Sequence, residues 1–134
     1  SLMVGVNDQF QGHLLSTFRA EFALLLEETV ILAGRDPSRV VVLSIPDWGV
    51  TPFARGRNSS AIGKEIDSFN EAVEAEAARA GIHYVDVTLA SREAATDRSL
   101  LASDGLHPSR AMYRKWVELL LPVARDVLSS DRTQ

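Results

Sequence analysis

Short apolar runs alternate along the chain with apolar stripes at helical spacing, a pattern that predicts βα units around a parallel sheet. The segment from Leu2 to Val6 reads as a brief strand that runs into a polar turn at Asn7, Asp8 and Gln9. From about Leu14 to Ala33 the period becomes helical. Phe18, Phe22, Leu25, Thr29 and Leu32 step by three and four along the face expected to be buried. Gly34 is placed to end that helix in a left-handed cap. Asp36, Pro37 and Ser38 then make a turn.

The run from Val40 to Ile45 is the clearest strand. It is β-branched and apolar at successive positions, as a strand covered by helices on both faces would be. Pro46 stops it, and an irregular loop runs from Asp47 to about Asn58; loops of this length are more often functional than plain connectors. Ser59 or Ser60 is placed to cap the next helix. Its buried stripe is Ile62, Ile66, Phe69, Val73 and Ala77, and Lys64, Glu65, Glu71, Glu74 and Glu76 are expected to face water. Gly81 closes it, and His83 to Val87 is a further strand. A second long loop, Thr88 to Ser103, has a helical turn near Arg92 to Ala95. Pro108 sits where a last helix can begin, with Tyr113, Trp116, Leu120, Val123 and Val127 on its apolar face. Pro122 predicts a kink near Glu118 to Leu121, and the polar tail from Ser129 is expected to fray.

Composition narrows the function classes. The 134 residues suit one domain, numbered 1–134 throughout, with Ser1 and Leu2 ahead of Met3 reading as a cloning scar. A net charge of -4 gives no basic field for a phosphate backbone, so nucleic acid is not an expected partner. No run approaches the roughly 20 apolar residues of a membrane span. The absence of cysteine removes disulfides and thiolate chemistry. The three histidines, His13, His83 and His107, lack the spacing of a zinc site, so no metal is expected.

Two stretches can carry chemistry. In Asp104-Gly105-Leu106-His107, a backbone turn lets the carboxylate accept from the ring Nδ1–H, which leaves Nε2 as a general base. The stretch lies after a strand and before a helix, on the edge where open α/β sheets place their sites. Taken alone, an Asp-x-x-His more often means a turn aspartate and an exposed histidine before proline. In Gly5-Val6-Asn7-Asp8, the Asn7 amide at a strand end can donate to a developing oxyanion, or simply make a turn. Trp48, Thr51 and Phe53 in the loop after Ile45 either line a pocket or cover the top of the core.

In this order, and separated by two βα units, the two blocks resemble those of the SGNH, or GDSL-type, ester hydrolases. The stretch from Ser44 to Phe53 is similar to the segment between those blocks in one bacterial branch. The resemblance runs from Val4 to about Val127. It implies a three-layer α/β/α, flavodoxin-like fold with strand order 2-1-3-4-5. It also implies hydrolysis of small acyl esters through an acyl-serine, with no metal or cofactor. His107 would be the base, Asp104 its orienting carboxylate and Asn7 an oxyanion donor. Gly5, Trp48, Thr51 and Phe53 would lie against substrate.

One part of the family pattern is missing. The Gly-Asp-Ser nucleophile block and a second oxyanion block belong upstream of the Asn block, which begins at Gly5. Ser44, Ser91, Ser103 and Ser109 lie in no nucleophile context. The chain is therefore expected to be the C-terminal part of such a hydrolase, incomplete at its N-terminus and inactive alone. A bared strand edge would favour homo-oligomers. The alternatives are a non-catalytic binding or oligomerising module of the same ancestry, and an unrelated α/β domain. The compartment and the natural ester are not legible in the residues.

Overall fold

A computed structural model describes residues 1–130. The central feature is a parallel pair, β1 (Val41–Leu43) and β2 (His83–Val85), in register Val41 with His83 and Leu43 with Val85. On the other side of β1, Leu2 forms a parallel bridge to Val42, donating to Val41 O at 2.9 Å and accepting from Leu43 N at 2.9 Å. The expected first strand is thus reduced to one bridge residue. Residues expected in a polar turn instead enter a helix, α1 (Val6–Gln11), because Gly5 takes a left-handed φ of 119° and its carbonyl accepts from Gln9 N.

Successive strand residues point to opposite faces, and both faces of β1 are covered. Val40, Val42 and Ile45 pack with α2 (Leu15–Leu32) and α3 (Ser59–Arg79), through Phe18, Phe22, Ile66 and Phe69. Val41 and Leu43 pack the other way, against Met112 and Trp116 of α5 (Arg110–Ser130) and Ala94 after α4 (Thr88–Arg92). Helices on both sides of a parallel sheet give the α/β/α layering. The short strands do not end the ladder: the buried Ser44 hydroxyl accepts from Val87 N at 2.8 Å where a strand carbonyl would otherwise serve.

The α3 stripe is buried as expected, but four local expectations change. On α2 the buried row is Phe18, Phe22 and Leu26, while Leu25 is 39% and Leu32 87% exposed. A neighbouring helix packs along an i, i+4 ridge, and the row continues through Val30, so Thr29 is only half-buried. Asn58, not Ser59 or Ser60, caps α3, its Oδ1 accepting from Ala61 N at 3.0 Å. Glu76 is buried rather than solvated, because Arg19 donates to it at 2.6 Å from α2 and Arg79 pairs with it from within α3. Helix α5 begins at Arg110, two residues after Pro108, and carries Pro122 within its span. On it Met112 is buried and Tyr113 is exposed, resting edge-on against Trp116. The remainder of the tail expected to fray lies outside the described residues.

Candidate active site

Because the strands are parallel, their C-terminal ends share one rim. Three segments leave it: Leu2 leads into α1, β1 into the loop at Asp47, and β2 into α4. They meet the loop ahead of α5 around a cavity of about 240 Å³. Asn7 and His107 both line it, as do Trp48, Thr51 and Phe53. Most of the remaining wall is apolar: Val6, Phe10, Pro46, Leu101, Leu106, Pro108, Met112 and Trp116. Gly5 is not among the lining residues. It is buried behind them, where an added Cβ would stand 2.8 Å from Phe18 Cζ.

The loop carrying His107 is closed on itself. Leu101 and Pro108 form an antiparallel bridge, Ala102 N donates to His107 O at 2.8 Å, and Gly105 turns the chain with φ 70°. Asp104 divides its carboxylate between two tasks. Oδ1 accepts from Leu106 N at 2.9 Å and His107 N at 3.0 Å, and Oδ2 lies 2.6 Å from His107 Nδ1. These bonds, the Leu106 N–H first and then the His107 ring and N–H, lower its pKa from 3.8 to about 2. Nδ1–H pointed at a carboxylate leaves Nε2 as the acceptor, and Nε2 has no partner among the described residues. The Asn7 carboxamide is likewise without a hydrogen-bond partner among them.

The hydroxyls on the cavity wall are differently placed. Thr51 Oγ1 donates to Trp48 O at 2.7 Å, and Ser91 Oγ donates to Thr88 O at 2.6 Å while accepting from Asp47 N at 2.9 Å. Ser44 is buried in a network with Asp86, Thr88 and the Val87 amide, and Ser109 Oγ donates to Ser99 O and caps α5. Ser103 is exposed and does not line the cavity.

Three parts of the site escaped the sequence reading. Phe10 lies on the cavity face of α1, one turn beyond Val6 and Asn7; the i, i+3, i+4 spacing was there to read, but a six-residue helix looks like a turn. Gln9, from the other side of α1, is buried and accepts from Trp48 Nε1 at 2.7 Å while donating to Glu65 at 2.8 Å. It fixes the indole that walls the cavity. Asp47, 4% exposed, accepts from Arg92 Nε at 2.9 Å, and Arg92 also reaches Asp67 at 2.7 Å. Burial opposes the charge on Arg92, but its two carboxylate partners outweigh it and raise the pKa. No local spacing joins residues so far apart in sequence.

A parallel sheet layered by helices, with its connecting loops gathered around one cavity at the carboxyl rim, defines an α/β domain. The model of the GDSL-like lipase/acylhydrolase family matches residues 1–115, and the chain belongs to that family. In fold it is similar to LAE5, an alpha/beta hydrolase enzyme from the metagenome of Lake Arreo, Spain, with a TM-score of 0.61 and 21% sequence identity. That likeness covers 93% of this chain and 58% of LAE5. No match is found among the curated proteins.

Proposed function

We propose that this chain supplies the base, its orienting carboxylate and an oxyanion donor to a carboxylic-ester hydrolase. The supporting observation is the convergence of His107 and Asn7 on one apolar cavity, each with a free side-chain nitrogen, while Asp104 holds the other side of the imidazole. In this reading a serine hydroxyl outside the described residues attacks the ester carbonyl. His107 Nε2 takes the hydroxyl proton and later returns it to the leaving alkoxide. Asn7 donates to the tetrahedral oxyanion, and water then releases the acyl group by the same proton relay. The apolar wall suits the hydrocarbon part of an ester.

Thr51 and Ser91 on the cavity wall donate to backbone carbonyls, Ser44 is buried in its own network and Ser103 lies off the cavity, so this chain alone is expected to turn over p-nitrophenyl acetate negligibly. Turnover abolished by a serine-directed phosphonate, with the label on a serine of this chain, would overturn the assignment of the nucleophile elsewhere. Joined in frame to a family N-terminal segment carrying Gly-Asp-Ser, it is expected to gain activity that His107→Ala removes by about 10³-fold or more. Activity indifferent to His107 would overturn the role of the base.

We further propose that the chain self-associates. Leu2 has no strand on its outer side among the described residues, and Leu14, Leu24, Leu32 and Leu128 are 63–87% exposed. A non-catalytic, oligomerising role remains the second reading; it gains if the fused chain binds an ester-like phosphonate without turnover.

A further inference from the structure

Arg57, beside the cavity, makes its side-chain contacts with aromatic rings and not with an acid among the described residues. The Arg57 guanidinium lies over three rings at once, 5.2 Å from the centroid of Phe10, 5.3 Å from Trp48 and 5.8 Å from Phe53. The rings support one another, with centroids 5.3–5.9 Å apart, and all three line the cavity. All three distances are within reach of a cation–π attraction, and that attraction takes up none of the acceptors a planar fork can engage. Arg57 makes no ion pair or side-chain hydrogen bond among the described residues, and neither does Arg55. The backbone beneath is fixed: Arg57 N donates to Ala54 O at 2.9 Å, and the next residue, Asn58, caps α3. The loop is locally positive in a protein of net charge -4, because its one acid, Asp47, is paired with Arg92.

We propose that Arg57 is an oxyanion subsite at the edge of the cavity, selecting ligands that carry a carboxylate apart from the ester to be cleaved. The hydrocarbon part would lie against Phe10, Trp48 and Phe53, and the carboxylate would accept from the guanidinium edge in the bidentate manner that planar fork favours. Preorganisation on the rings lowers the entropic cost of that pairing. The proposal rests on the hydrolase reading for its substrate, but the binding it requires does not need turnover.

The test is calorimetric titration of the chain at pH 8 with octanoate and with octanamide, which share an apolar tail and differ in charge. The wild type is expected to bind octanoate about tenfold more tightly. In Arg57→Gln that ratio should fall to near one, whatever happens to the shared tail, and in Arg57→Lys it should be intermediate. In His107→Ala the ratio should persist. Added salt should weaken octanoate and spare octanamide in the wild type, a readout that stands if Arg57→Gln fails to fold. A wild-type ratio near one, no binding of either probe, or a ratio that survives in Arg57→Gln would overturn the proposal. A preference lost in His107→Ala but kept in Arg57→Gln would place the carboxylate at the dyad as a hydrolysis product. The subsite would then fall while the hydrolase reading stood.

Discussion

Asp104 has a measurable signature because its folded carboxyl holds a proton less tightly than the unfolded chain does. Below its ordinary value the unfolded state takes up the extra proton, so its contribution to stability is complete above pH 3.8 and is lost as pH falls toward about 2. Urea denaturation of wild type and Asp104→Asn is expected to show a gap that narrows across that window. A gap constant from pH 5 to pH 2 would count against the bonds described. Asp47 and Arg92 are the corresponding pair inside the wall. Arg92→Ala leaves a carboxylate that is 4% exposed without its cation, and should cost about 3 kcal/mol in denaturant unfolding. Asp47→Asn in the same chain should recover part of that loss, since a neutral amide is less costly to bury unpaired.

Elements respond where the backbone leaves no room. Gly5 starts α1 from a φ of 119° with Phe18 behind it, so Gly5→Ala combines backbone strain with a clash. A loss of about 2–4 kcal/mol is expected, and with it the orientation of Asn7 two residues on; thermal unfolding measures the first. Pro122 has the opposite sign. It lies exposed inside α5, where it supplies no amide hydrogen for the helix. Pro122→Ala should therefore raise stability by about 1–2 kcal/mol, and an unchanged or lowered midpoint would show that the proline is needed for packing. The stripe on α3 was legible because five apolar positions fall on one face. The α2 stripe was not fully legible, because Leu24, Leu25, Leu26, Ile31 and Leu32 offer several rows and only the neighbouring helix selects Leu26.

For the whole molecule, exposed leucines on α2 are the accessible lever on association. Sedimentation velocity at micromolar concentration is expected to show species larger than a monomer, and Leu24→Gln with Leu32→Gln should shift the distribution toward the monomer. A single monomeric boundary for the wild type would sink that expectation. The site itself was partly visible in the residues. Asp104-x-x-His107 and Gly5-x-Asn7 are local patterns whose order along the chain carried the family resemblance, and the loop of Trp48, Thr51 and Phe53 was marked by its length. The pocket and core-cover readings of that loop were not exclusive: Trp48 is 6% exposed and belongs to the core, yet it also walls the cavity.

The sequence by itself determined what depends on near neighbours. It set the βα alternation, the glycine caps, the buried row of α3 and the turn that brings a carboxylate to an imidazole three residues on, because period and backbone geometry act over a few residues. Tertiary structure decided what depends on packing across the chain. It chose which leucines of α2 are buried, placed Gln9 on Trp48 and Asp47 on Arg92, and set Gly5 against the Phe18 ring, off the cavity lining. It also brought Arg57 over three rings contributed by two segments. Those arrangements arise only when segments far apart in sequence compete for the same volume, and no local spacing encodes the outcome.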